Sequence, residues 1–134
     1  MKKVLSLLLA VVMLLSCMPA PLYANAAEGG QTLYLKPNDN WLQGNARFAI
    51  YYWNDGGSAW TGMADSNNDG VYEGIIPAGY TNVIFCRMNP GTTANNWNNK
   101  WNQTSDLTVP TDGTNLYTVK SGTWDKGGGT WSTK

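Results

Sequence analysis

Residues Ala46 to Met63, ARFAIYYWNDGGSAWTGM, leave few options for how this chain folds. Phe48, Ile50 and Tyr52 recur at period two, and Arg47, Ala49, Tyr51 and Trp53 fill the alternate positions. In an extended strand the two sets point to opposite faces. The first reads as core. The second, with an arginine and two rings, reads as the more exposed face. Asn54-Asp55-Gly56-Gly57 breaks the alternation as a tight turn, and a returning strand carries Trp60. Tyr51, Tyr52, Trp53 and Trp60 thus fall within ten positions of one hairpin. Few folds place so many flat rings together unless some are presented at the surface.

The remaining chain repeats the theme of short strands and turns. Thr32–Lys36 alternates and is then broken by Pro37-Asn38-Asp39-Asn40; Trp41 and Leu42 read as anchors of that loop. Asp65–Gly70 (DSNNDG) is a turn, Val71–Ile76 a strand ended by Pro77-Ala78-Gly79, and Asn82–Met88 a continuous apolar run suited to the middle of a sandwich. Asn89–Asn102 reads as one long loop; two tryptophans in it argue against disorder, and loops of that length in small domains usually carry function. Leu107–Pro110 reads as an edge segment and Leu116–Lys120 as a strand. Gly122–Trp124 and Thr130–Ser132 read as a last pair around Asp125–Gly129. No helical period is evident. The expectation is an all-β, antiparallel, immunoglobulin-like two-sheet sandwich.

The N-terminus reads differently. Lys2 and Lys3 precede the apolar stretch Val4–Leu15, and Ala24-Asn25-Ala26 offers a small-x-small cleavage pattern. Residues 1–26 are therefore expected to be a cleaved signal peptide, 27–31 a short tail, and 32–134 the module, secreted to the cell exterior. Leu14-Leu15-Ser16-Cys17 loosely resembles a lipoprotein processing site, the less favoured alternative, which would leave the module on the cell surface through a lipid on Cys17. The apolar stretch is too short to span a bilayer and no second one follows, so no transmembrane segment is expected.

Without residues 1–26 the chain holds seven basic and nine acidic residues, near −2. No basic patch points to nucleic acid. A surface rich in Asn, Thr, Gly, Trp and Tyr makes neutral hydrogen bonds and stacking contacts, which suit sugars. The sequence contains no histidine, which closes the Ser-His-Asp and Cys-His schemes. Most carboxylates fall in turns and loops, without an evident acid pair for glycoside hydrolysis. Cys86, in NVIFCRM, reads as a small apolar core residue.

Seven tryptophans exceed what so small a core easily buries. Trp41, Trp124 and Trp131 flank strands and turns and read as structural; Tyr34, Tyr72 and Tyr117 read as core or sheet-face residues. Trp60, Trp97 and Trp101 lie in polar or glycine-containing surroundings and are the candidates for ligand contact. A pyranose stacks its C–H face on such rings, and its hydroxyls need rim donors and acceptors. Asn99, Lys100 and Gln103 are the candidates for that role. Asp65-x-Asn67-x-Asp69-Gly70 matches the first half of a calcium loop, but its twelfth position is Ile76, so a polar turn is the preferred reading and no cofactor is expected.

Together, AIYYWN, the Gly-Gly turn, Trp60-x-Gly62-Met63, Val83-Ile84-Phe85, Trp97-Asn98-Asn99 and Trp101-Asn102-Gln103 with Asp106-Leu107 resemble carbohydrate-binding module family 26, and more loosely family 25. The resemblance spans Thr32 to Ser132. It implies a noncatalytic β-sandwich, associated with secreted amylase-type proteins, that holds starch or malto-oligosaccharides between aromatic rings. It places Tyr51, or Tyr52 in the other register, and Trp60 in the stacking pair, with Trp97 or Trp101 as a further ring. A monomer is expected. The alternatives are a surface lectin or adhesin for another glycan, and a structural β-domain of a larger extracellular protein.

Overall fold

The computed structural model describes residues 29–124 and 126–134. The expected signal peptide, Cys17 and Asp125 lie outside the described residues. Two sheets form. One is ordered β4-β1-β8-β9, from β1 (Gly30–Lys36), β4 (Tyr72–Pro77), β8 (Leu116–Thr118) and β9 (Thr130–Ser132). The other is ordered β3-β2-β5-β6, from β2 (Arg47–Asn54), β3 (Gly57–Gly62), β5 (Asn82–Met88) and β6 (Lys100–Gln103), with β7 (Leu107–Thr108) also pairing β5. The protein is an all-β sandwich, as its period-two pattern predicts. Among the described residues, no helix is long and apolar enough to cross a membrane.

The core lies where the two sheets meet. Phe48, Ile50, Tyr52, Val83 and Phe85 from one sheet join Leu33, Leu35, Ile76 and Tyr117 from the other, with Trp41 fully buried among them. Trp41 stacks parallel to Phe48 at 6.2 Å, and Phe85 stacks on Tyr117 at 5.6 Å. Phe48, Ile50 and Tyr52 are thus the inward set of β2, as the alternation requires.

Four expectations are corrected. A single helical turn, α1 (Asp39–Leu42), sits where no helix was read. One turn is too short to show a 3.6-residue period, and it stands because the Asn38 carboxamide oxygen accepts from Trp41 N–H at 2.8 Å. The Asn38 amide donates to Lys120 and Thr123 carbonyls at 2.8 and 2.7 Å, so this one buried side chain joins α1 to a segment more than eighty residues on. Second, the loop after Met88 is shorter than expected, because Lys100–Gln103 extends the sheet as β6. Third, β9 pairs with β8 rather than with residues 122–124. Gly129 makes this possible: a Cβ there would lie 2.4 Å from the Tyr117 ring, so only glycine lets the chain cross that residue. Fourth, β1 and β8 run parallel, with Tyr34 opposite Leu116, so the antiparallel pattern is not uniform.

Candidate functional site: an aromatic face on the outer side of one sheet

β2 places Tyr51 and Trp53 on the face turned away from the core. β3 sets Trp60 directly opposite Tyr51, in register. The turn between them, Asp55-Gly56, takes no positive φ. It is held instead by the Asn54 side chain, whose oxygen accepts from Gly56 N–H at 2.8 Å and whose amide donates to Gly79 O at 2.9 Å. β5 continues the same face with Ile84, Cys86 and Met88, all buried beneath the rings together with Ala49. This is why Asn82–Met88 reads as continuously apolar: both of its faces are covered. Cys86 is fully buried, and burial pushes its thiol up to about 12.

The outermost ring comes from the loop. Trp97 opens a short 3₁₀ turn (Trp97–Asn99) capped by the Asn96 oxygen, which accepts from Asn99 N–H at 2.9 Å. Its ring meets Tyr51 at 4.7 Å and Trp60 at 4.8 Å, with ring planes at 62° and 67°. Tyr51 also meets Trp60 at 5.1 Å and 55°, and Trp53 at 5.4 Å and 30°. Such edge-to-face contacts are the favoured geometry for aromatic rings, so the cluster holds its own shape. Trp97 is 42% exposed, whereas Tyr51, Trp53 and Trp60 are half-buried below it. Trp53, which period two sets on the same face as Tyr51, joins the cluster although it is not among the ligand-contact candidates read from the sequence. At the hairpin end, Tyr51, Trp53, the Asn54–Ser58 turn, Ile84 and Asp106 line an open depression of about 560 Å³.

Lys100 and Gln103 share this face. The Lys100 ammonium lies 5.3 Å from the centre of the Trp97 ring and donates to the Gln103 side-chain oxygen. Asn99 is half-buried, and its amide donates to Ala94 O at 2.9 Å. Other asparagines of the loop are engaged similarly: Asn89 accepts from Gly91 N–H, Asn95 from Arg47, and Asn96 from Asn99. Much of the amide content that suggested hydroxyl contacts therefore shapes the loop itself.

Arg47 is the residue that sequence reasoning underrated. Its guanidinium donates to Asn89 O (3.2 Å), Thr92 Oγ1 (3.1 Å), Ala94 O (2.7 Å) and Asn95 Oδ1 (2.5 Å). It stands on the same strand face as Tyr51 and fastens the segment that delivers Trp97.

Trp101 does not join the cluster. Arg87 pairs with Asn102 and Met88 with Lys100, so Trp101 is the extra residue of a β-bulge. Lys100 takes the position facing the ring cluster. Trp101 instead lies with the Arg87 guanidinium 4.7 Å from its ring centre, and Trp124 is 5.3 Å from the same cation. Of the tryptophans read as structural, Trp41 is buried and Trp131 packs on the core, but Trp124 is 45% exposed.

In the 65–70 turn, both Asp65 oxygens accept backbone N–H groups, from Asp69 at 3.0 Å and Gly70 at 2.8 Å. Asp69 accepts from Val71 N–H at 2.9 Å and pairs with Lys134 at 3.1 Å, contacts that hold its carboxyl down at about 2. Asn67 is exposed at the tip. Among the described residues, no cluster of three or more metal-ligating side chains occurs.

Comparison of the chain with protein-family models, with curated proteins and with solved structures gave no match.

Proposed function

We propose that the face bearing Tyr51, Trp60 and Trp97 is a noncatalytic docking surface for α-1,4-glucans such as starch and malto-oligosaccharides. The observation that carries this reading is the tilt of the rings, 55° to 67° between planes on one exposed face. Tilted platforms follow a curved helical glucan, whereas a flat β-glucan favours coplanar ones. Because the three rings touch, a sugar chain runs across their outer surface, from Trp97, the most exposed ring, onto the half-buried Tyr51 and Trp60. Covering about 100 Å² of apolar surface there contributes roughly 2.5 kcal/mol. With a few rim hydrogen bonds this gives micromolar to millimolar dissociation constants, about −8 to −4 kcal/mol. In this reading Lys100 and Gln103, which share the sheet face with the rings, supply the hydroxyl contacts.

Affinity electrophoresis in gels containing amylose, cellulose, xylan or mucin glycans tests the reading. Retardation by amylose is the expected result. Retardation by another glycan alone identifies a lectin of different specificity. The closure of the rings over Ala49, Ile84, Cys86 and Met88 favours a second reading, in which the cluster is a structural cover of a larger assembly's β-domain. Absence of retardation in every gel supports that one. Trp97→Ala is expected to lower retention on amylose at least tenfold without unfolding the domain. Trp60→Ala is expected to do the same by unseating Trp97. A Trp97→Ala variant that migrates like the parent removes that ring from the site.

A further inference from the structure

A second pair of exposed rings lies apart from this face. Trp101 and Trp124 are 42% and 45% exposed, and both rest against the Arg87 guanidinium. The β-bulge separates this pair from the first cluster: Lys100 faces Trp97, and Trp101 is turned to the side of Arg87. One sugar ring cannot lie on Trp97 and Trp101 together.

The pair is held rigidly. Arg87 is almost fully buried, and its nitrogens donate to Trp41 O at 2.9 Å, Gln43 O at 2.6 Å and Asn102 Oδ1 at 3.0 Å. The cation is thus fixed by neutral acceptors and two π faces, with no carboxylate partner among the described residues. The Trp124 carbonyl accepts from the Trp41 indole, and the preceding Thr123 carbonyl from Asn38 and Asn40. Trp101 sits in a paired strand, its ring 3.4 Å from where a Cβ on Gly44 would lie. Two rings on anchored backbone lose little conformational entropy when a ligand stacks on them.

We propose that Trp101 and Trp124 form a second, independent glucan contact, which makes the module bivalent for a long chain; this rests on the reading of the first face. The occupant follows from size and charge. The two indoles, 42% and 45% exposed, offer roughly 200 Å² of apolar surface, well under the ~800 Å² per partner of a stable protein interface. Arg87 itself is almost fully buried, so what the patch presents is chiefly the two stacking faces, which suit a neutral sugar chain. Two weak contacts on one polymer raise retention without any tighter single contact.

The test is an NMR titration of the indole N–H signals with maltoheptaose, in the parent and in Trp97→Ala. Expected in the parent are shifts at Trp97 and Trp60 and, separately, at Trp101 and Trp124. In Trp97→Ala the Trp101 and Trp124 shifts are expected to persist, with a midpoint within twofold of the parent. Trp124→Ala is expected to lower retention in amylose gels severalfold while the Trp97 midpoint stays unchanged, its amide spectrum serving as the check on folding. If Trp101 and Trp124 stay still while Trp97 saturates, the second contact is refuted and the first stands. If their shifts vanish in a folded Trp97→Ala, they belong to one continuous site and independence is refuted. If no indole responds, both readings fall.

Discussion

At the scale of single residues, position in the pleat decides what each ring does. Tyr51 and Tyr52 are neighbours in sequence, yet Tyr52 is buried in the core against Tyr80 and Tyr51 stands on the outer face. Period two resolves that choice, and it assigns Trp53 to Tyr51's side. Cys86 follows the same rule, since it lies under the rings and not between the sheets. Its buried thiol, with the thiolate disfavoured up to about pH 12, is expected to resist iodoacetamide in the native protein at pH 8 and to react within minutes once denatured. Mass spectrometry of the two samples checks this. Rapid native labelling would mean that the ring cover opens readily.

At the scale of elements, the loop after β5 is organised by one side chain from β2. Arg47 holds four acceptors between Asn89 and Asn95, and the chain then enters the 3₁₀ turn that carries Trp97. Arg47→Ala leaves those acceptors unpaired in a half-buried setting, at a cost of about 1–3 kcal/mol. It is expected to lower amylose retention severalfold through loss of Trp97 placement, with faster amide exchange at Thr92 and Asn99. Arg47→Lys is expected to restore little, because one ammonium does not replace a planar fork that reaches several oxygens. Unchanged exchange at Thr92 and Asn99 in Arg47→Ala would show that the loop holds itself. The β-bulge in β6 is the other decisive element. A regular ladder would set Trp101 opposite Met88, on the outer face; the extra residue gives that place to Lys100.

At the scale of the whole molecule, charge contributes little, and the ion pair found among the described residues is Lys134 with Asp69. It ties the segment after β9 to the turn between β3 and β4. The Asp69 carboxyl is depressed to about 2 in the folded protein and titrates near its ordinary value when unfolded, so the unfolded chain takes up the proton first as pH falls. The stabilisation is therefore complete above about pH 4 and is lost as pH falls through about 2. Denaturant titrations of the parent and of Asp69→Asn at pH 5, 3 and 2 are expected to converge as the pH drops; a constant difference would refute the linkage. How much of this architecture the sequence contained differs from one strand to the next. Alternation together with turn signals such as Asn54–Gly57 determined the β2–β3 hairpin, its inward and outward sets and the all-β class, because side-chain period and turn chemistry are local properties of the chain. The sequence was silent on α1, which is one turn long and is held by contacts to Lys120 and Thr123 far along the chain. It was silent also on the pairing of β9, which depends on a glycine passing over Tyr117. Whether Trp97 or Trp101 would join Tyr51 was open for the same reason. That choice turns on a single extra residue in a ladder between distant strands, and only tertiary packing sets such a register.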